Sequence, residues 1–584
     1  MSGTFDSGDA LNRLRATEQF FSPTGLVVAS PGKPEQGGYS LFADQDGTYI
    51  SSWGPGQPLL FTPYHLVATG ITTPIAQKFN WSRAKNLRVQ RFIVSTLVSL
   101  SCLVAVFWLE ILVALALGCN QWLAVGVAVL ATFGSIFWSM WKQGQEEVQL
   151  SICLLGMIYG WLRWRQAGDL SAHNAMSTPS NPVISPKSQK SQDGAACWVW
   201  FSSAMVAIAL LFRTTALPMV LASIWLFGRS GIKNIGDDIG GATAGNQSNA
   251  SSFWQRWQWL IIPQGVCCSV AAMIVATYNY IKTGNPFKAG IPLEDFSGKW
   301  WAGITEPIWG IDKGIIWSNP WLIPAVIITV ILWRHLSSQH RQILAVLLFL
   351  FSASIAIYAN WVTWAGDHTY GARFQVHLVP ALAVLLGSSV GLFGNRLWRR
   401  LALLRKQLGQ QFKVLPQPNC QPKLNNKRNT KLKAPKFQAK LSLLVLTVCV
   451  LLQIPSISLI HNLEICQAIR AGLWQNNTTV SPTQYLPQIP HRYKNFWLKL
   501  TTQAAVLPLP PAIPITGDSR RQFLISDQDF YGAQRWNFWP WLSAARLKRE
   551  ITQILSSLWY ILVAVSVSLW LLLAGWATQT TTDT

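Results

Sequence analysis

The chain has 584 residues, of which 50% are hydrophobic and only 12% are charged, and its formal net charge is +23. Because a soluble protein would carry about 25% charged residues, this composition excludes an ordinary soluble protein. Much of the positive charge lies between apolar runs, where it indicates membrane topology rather than nucleic-acid binding.

Apolar runs that approach the roughly 20 residues needed to cross a bilayer recur from residue 91 onward. We read spans near 91–113, 119–140, 148–163, 196–212, 214–228, 259–280, 320–333, 341–361, 372–394, 441–461 and 552–575. The alternating strands of about 10 residues that build a membrane barrel are absent. The sequence therefore predicts an all-α polytopic membrane protein with about eleven transmembrane helices.

The orientation follows from the most basic loop. Residues 395–440 carry 13 Lys or Arg and no Asp or Glu, so the positive-inside rule places them in the cytoplasm. Counting spans from this loop puts five segments on the external side: 1–90, 141–147, 281–319, 362–371 and 462–551.

A smaller basic cluster, Lys78 to Arg91, then falls outside the cell, against the same rule. We expect 58–76 to be an interfacial helix, interrupted at Pro58, Pro63, Gly70 and Pro74, rather than a span that would move the cluster inside.

These boundaries divide the chain into four parts. The external N-terminal region 1–90 contains the interfacial helix, and the transmembrane core covers 91–395. A basic cytoplasmic loop follows at 396–440. Helices of the C-terminal part, 441–584, enclose the external segment 462–551.

Five predicted external patches combine polar and aromatic residues. Their candidate functional residues are Asp9 and Arg13; Asp46, Trp53 and Gln57; Glu146 and Glu147; Lys282 with Tyr278 and Tyr280; and Asp367, His368, Tyr370 and Arg373. Ionisable groups at a membrane boundary are costly and usually mark a site or a charge partner. Each patch also has a structural interpretation: an ion pair, a Gly/Pro turn, interfacial solvation or an aromatic belt.

The patches follow a recognisable order. Asp9, Arg13, Leu14, Thr17 and Gly25 fit D-x-x-x-R-L/Y…T…G. Asp46–Pro63 fits DG-x-Y-x-x-x-x-G-x-G-Q-x-L-L-x-x-P, with Tyr64 directly after it where the pattern has its Tyr one position later. Arg213–Leu217 fits R-x-T-A-L, Tyr278–Pro286 fits Y-N-Y…G-N-P, Gly314–Pro320 is similar to G-L-x-x-x-S-P, and Tyr370–Phe374 fits Y-G-x-R-F. This series resembles the GT-C class of membrane glycosyltransferases, especially bacterial relatives of protein O-mannosyltransferases and aminoarabinose transferases, the family 39-like enzymes.

The resemblance implies transfer of a sugar from a polyprenyl-phosphate donor to a lipid, protein or polysaccharide acceptor outside a bacterial plasma membrane. It implies Asp9 as the catalytic base and Arg373 as the main phosphate ligand. The other substrate-binding residues that it implies are Arg13, Asp46, Trp53, Gln57, Glu146, Glu147, Lys282, Asp367, His368 and Tyr370. Some members need a divalent cation, which Glu146 or Glu147 would orient here. No residue set in the chain demands a metal.

Two other functions remain open. A lipid-linked sugar flippase would carry polar residues deep inside its spans, and Glu110 is the notable example. An inactive scaffold of the same fold is the second alternative. Members of the class begin with a membrane helix that precedes the catalytic acid, so we expect that helix upstream of Met1, or a polar N-terminus translocated with the following span.

Overall fold

The structure is a computed structural model, and it describes residues 8–21, 27–29, 41–43, 49–51, 54–176, 186–239, 249–287, 300–310, 314–361, 372–389, 448–453, 493 and 496–497. The predicted basic loop 396–440 lies outside these residues. So does the predicted external segment 462–551, apart from the three positions named.

The N-terminal region combines two helices with a small sheet. Its elements are α1 (Gly8–Gln19), β1 (Val27–Ala29), β2 (Leu41–Ala43), β3 (Tyr49–Ser51) and α2 (Gly56–Lys78). The antiparallel sheet has the order β1-β3-β2, and Phe42 pairs with Ile50 in its centre.

The rest of the described chain is helical. Its helices are α3 (Arg83–Ala116), α4 (Gln121–Phe133), α5 (Phe137–Gln143), α6 (Glu147–Met176), α7 (Pro186–Phe212), α8 (Leu217–Ile239), α9 (Asn249–Thr283), α10 (Trp300–Trp309), α11 (Ile315–Ser318), α12 (Leu322–Ile331), α13 (Ser338–Tyr358) and α14 (379–389). Short 3₁₀ helices stand at Thr214–Ala216, Trp333–His335 and Arg373–Leu378.

Four described helical stretches are long and apolar enough to cross a membrane. They are Arg83–Ala116, Ala195–Phe212, Ile261–Thr283 and Ser338–Tyr358. The predicted helical class is thereby shown, and these four stretches are compatible by length and composition with membrane spans, whereas the predicted count of about eleven is finer than the described residues support.

Three predictions about individual segments are wrong. The span predicted at 119–140 is divided between α4 and α5, which are separated at residues 134–136. The span predicted at 320–333 contains only the 10-residue α12, about 15 Å long, too short for a bilayer core. The interruption predicted in 58–76 is absent, because α2 continues through Pro63 and Pro74 while packed against α1 and α3.

Helices α6, α7 and α13 belong to a bundle with two ends. At one end, called the Glu147 end, Arg373 contacts Glu147. At the other, called the Gln166 end, the Gln166 amide donates to Ala116 O (3.2 Å), and Ser388 lies 3.3 Å from His340. The helix from Glu147 to Gln166 is about 30 Å long. This length matches the hydrocarbon core of a bilayer.

Helix α2 starts at the Glu147 end and runs away from the Gln166 end. Helix α3 is parallel to α6, because Cys102 contacts Gln149 (3.6 Å) and Ala116 contacts Gln166. The turn at 79–82 makes α2 antiparallel to α3. At 34 residues, or about 50 Å, α3 exceeds a bilayer core, and its first turns extend with α2 beyond the Glu147 end.

Candidate functional site

Five charged side chains form an alternating chain at the Glu147 end. Arg13 Nη2 lies 2.8 Å from Glu146 Oε2, and Arg213 contacts Glu146 and, at 3.4 Å, Glu147. Arg373 Nε donates to Glu147 Oε1 at 2.9 Å. None of the five side chains is more than 10% exposed. We call this group the Arg–Glu cluster.

The cluster joins four distant parts of the sequence. Arg13 lies on α1, and the two glutamates stand where the chain enters α6. Arg213 follows the last residue of α7, and Arg373 opens a 3₁₀ helix. As the first residue of α6, Glu147 also lies at the positive end of a helix dipole, which favours its charged form.

Gly56 brings α2 into the site. A Cβ at this position would lie 2.6 Å from backbone atoms of Leu211 and Phe212, so only glycine permits this approach. The close contact that requires glycine at position 56 is thus with the end of α7. The next residue, Gln57, accepts from Arg13 Nη1 (2.8 Å) and donates to Gly144 O (3.1 Å).

Replacing Gly56 by Ala is therefore expected to separate α2 from α7 and to destabilise the protein by about 1–3 kcal/mol, the usual range for overpacking. Gly126 is the matched control, because a Cβ there meets nothing within 4 Å. Gly126→Ala should leave the melting temperature unchanged or raise it. Thermal unfolding of both variants in lipid nanodiscs checks the prediction, and equal melting temperatures would contradict it.

An aromatic wall borders the cluster. The rings of Tyr358 and Phe374 stack with centroids 4.0 Å apart, and Arg213 Cζ lies 5.2 Å from the Phe374 centroid. The Tyr358 hydroxyl is 2.6 Å from Thr215 Oγ1. A cavity of about 30 Å³ lined by these residues and His377 has room for one or two water molecules, so a sugar ring requires space elsewhere.

The charges in the cluster support one another. Burial alone would raise the pKa of Glu147, but Arg373 and Arg213 outweigh it and lower the pKa below its ordinary value. Burial alone would lower the pKa of Arg213, but Glu146 raises it, with a smaller contribution from Glu147. The Glu147 carboxylate is therefore a charged acceptor for guanidinium groups rather than a proton-transfer group at neutral pH.

Acid is expected to destabilise the protein through Glu147. Its pKa is lower in the folded than in the unfolded chain, where it is about 4.3. The stabilisation is therefore complete above this value and is lost as the pH falls through the lower folded pKa. Thermal unfolding between pH 3 and 7 should show a smaller acid decline for Glu147→Gln than for the unchanged protein. Parallel declines would contradict the prediction.

The structure brings five predicted site residues together: Arg13, Gln57, Glu146, Glu147 and Arg373. The backbone of Asp9 lies on α1, one turn before Arg13, and its side chain lies outside the described residues. Also outside them are Asp46, Trp53, Asp367, His368 and Tyr370.

Lys282 approaches the site through an aromatic contact. Its Nζ lies 5.1 Å from the centroid of the Tyr278 ring. The Tyr278 ring packs edge-on against Phe20, in the turn that follows α1. Lys282 is only 2% exposed. The contact places the end of α9 next to the N-terminal region.

Arg213 is the central residue that sequence reasoning left out of the site. It was part of the R-x-T-A-L pattern, and its signal was an arginine directly after an apolar span at a predicted external boundary. In the structure the carboxylates of Glu146 and Glu147 both contact arginines.

Within the described ranges, no group of three or more His, Cys, Asp or Glu side chains is placed to hold a metal ion. Comparison of the chain with protein-family models, curated proteins and solved structures gave no match.

Proposed function

We propose that the chain is a GT-C-type glycosyltransferase that moves a sugar from a polyprenyl-phosphate donor to an acceptor on the external face of a bacterial plasma membrane. The observation that supports this proposal is the Arg–Glu cluster. It collects three buried guanidinium groups at one end of a helical membrane bundle. The proposal includes the predicted polytopic topology, without the spans at 119–140 and 320–333 that the described helices do not form.

The guanidinium groups suit the leaving group. Arginine binds phosphate oxygens through short, charge-assisted hydrogen bonds, which are stronger in a site that excludes water. Glu146 and Glu147 hold Arg13, Arg213 and Arg373 close together despite their like charges. This arrangement prepares positive charge before the donor arrives, so little reorganisation is needed as the phosphate leaves.

The reaction itself is a substitution at the anomeric carbon. The acceptor hydroxyl or amine forms a bond to this carbon, and the carbon–oxygen bond to the lipid phosphate breaks. The phosphate leaves with the bonding electron pair, next to Arg373, and the acceptor's proton passes to the Asp9 carboxylate. A base in this role typically contributes about 10²–10⁴-fold to the rate.

The direct test uses purified protein in nanodiscs with radiolabelled undecaprenyl-phosphate sugars and a panel of lipid, peptide and polysaccharide acceptors. We expect the label to leave the donor lipid, and Arg373→Gln to weaken donor binding. Arg163→Gln is the matched control, because Arg163 lies near the Gln166 end and contacts Gln166 (3.1 Å).

Other outcomes identify the alternatives. In liposomes, a flippase would move the labelled lipid between leaflets while leaving the sugar attached. In a flippase, Glu110 would be the candidate polar residue inside a span. It is fully buried in α3 and accepts a hydrogen bond from Thr132 (2.7 Å). An inactive scaffold would neither release the label nor move the lipid.

A further inference from the structure

Helix α10 carries exposed tryptophans at the Glu147 end of the bundle, and by helical spacing Trp301 and Trp309 lie on the side away from Gly303 and Pro307. Trp300, Trp301 and Trp309 are 57%, 63% and 63% exposed, and Trp317, shortly after the helix, is 53% exposed. Trp317 Nε1 donates to Trp309 O at 2.8 Å, which ties the two together. Such a concentration of exposed indoles on one short segment is costly in water.

The opposite face of α10 is small and packed. Gly303 and Pro307 are buried, and a side chain at Gly303 would collide with the backbone of Ala359. Ala359 directly follows α13, a candidate membrane span, and Tyr358 before it lies in the wall of the Arg–Glu cluster. The position of α10 is therefore coupled to the end of a span and to the candidate site.

The end of a span marks a boundary between hydrocarbon and headgroups. Within α13, Leu348 and Phe349 are 54% and 42% exposed, as expected for side chains that face lipid. A helix attached at Ala359 continues this surface at the depth where the hydrocarbon ends. Tryptophan is enriched at that depth because its ring is apolar and its N–H group can bind headgroups or water.

We infer that α10 and Trp317 form a docking surface for phospholipid headgroups, with α10 lying in the plane of the membrane interface. Because Gly303 holds α10 against α13, this surface sets the depth of the Arg–Glu cluster at the level of the lipid phosphates. The inference does not depend on the glycosyltransferase proposal. A flippase or a scaffold with this fold would have the same contact.

Fluorescence quenching in nanodiscs can measure the depth of this surface. The full-length protein and its Trp301→Phe/Trp309→Phe variant are placed in nanodiscs whose phospholipids carry bromine either near the headgroup or near the bilayer centre. The difference between the two emission spectra reports the two substituted residues among the 31 tryptophans. We expect shallow bromine to remove most of this difference emission, and deep bromine or aqueous iodide to remove much less.

Trp161→Phe is the control, since Trp161 is fully buried and its Nε1 donates to Leu226 O (3.0 Å). Its difference emission should resist all three quenchers. Three results would overturn the inference. Strongest quenching by iodide would place α10 in water, and strongest quenching by deep bromine would place it in the hydrocarbon core. Resistance to every quencher would indicate that a protein surface, such as a second copy of the chain, covers it.

Discussion

Replacing Asp9 by Asn is expected to lower sugar transfer by about 10²–10⁴-fold while leaving donor binding intact. Asp9 precedes Arg13 by four residues on α1, and residues at this spacing share one face of a helix. Arg13 reaches Glu146 in the cluster that we propose for the phosphate. An amide at position 9 cannot accept the acceptor's proton, but it leaves the cluster unchanged. Single-turnover transfer and donor affinity, measured separately, check both halves of the prediction.

Glu18→Gln is the matched control on the same helix. Glu18 pairs with Arg91, whose Nε and Nη2 both lie 2.7 Å from its carboxylate oxygens, and it takes no part in the Arg–Glu cluster. This variant should keep normal turnover. If Asp9→Asn transfers sugar as fast as the unchanged protein, Asp9 is not the base. If Asp9→Asn and Glu18→Gln lose activity equally, the loss results from destabilisation of α1 and not from removal of a base.

Hydropathy predicts best the helices that lipid surrounds. Four of the predicted spans, in α3, α7, α9 and α13, reappear as long apolar helices because a bilayer requires a continuous apolar length. Hydropathy failed at α12 and between α4 and α5. Apolar composition alone does not fix the length of a helix. The 10-residue α12 ends well short of bilayer length, although Ile327, Val330 and Ile331 are more than half exposed.

The sequence predicted which residues share a side of the membrane, but it did not predict their partners. The side of the membrane on which a residue is predicted to lie follows from counting spans. The ion pairs Arg13–Glu146 and Glu147–Arg373, in contrast, join positions more than 100 residues apart. Such pairs depend on which helices pack together, and the hydrophobic periodicity of the sequence does not give this information. Arg213 shows the same limit, since its role becomes visible only when the end of α7 lies beside the start of α6.

Helix packing, rather than the turn motif that contains it, explains why position 56 requires glycine. The W-G-P-G-Q stretch reads as a turn from sequence alone. In the structure Gly56 allows the start of α2 to touch Leu211 and Phe212, and the following Gln57 then reaches Arg13. The local sequence pattern thus predicted a backbone turn at Gly56. The reason that no side chain fits there is the end of α7, which lies more than 150 residues further along the chain.

Replacing Glu146 by Gln is expected to destabilise the protein by about 3–5 kcal/mol, the usual effect of removing one partner from a buried ion pair. Glu146 lies between Arg13 (2.8 Å) and Arg213, and its side chain is only 2% exposed. The amide leaves these guanidinium groups buried with one carboxylate fewer. We expect a lower unfolding temperature in nanodiscs, together with weaker binding of undecaprenyl phosphate as the arginines separate.

The double variant Glu146→Gln/Arg213→Gln distinguishes a charge effect from a packing effect. It removes one positive and one negative charge together, so its loss of stability should be smaller than the sum of the two single losses by about 0.5–3 kcal/mol. Glu18→Gln provides the control for a half-buried pair, because Glu18 and Arg91 are 13% and 23% exposed. Because this pair is more exposed than the Arg–Glu cluster, Glu18→Gln should cost less stability than Glu146→Gln. Strictly additive losses of stability at Glu146 and Arg213 would show that their contact does not stabilise the fold. The proposal that the glutamates hold the arginines together before the donor binds would then be contradicted.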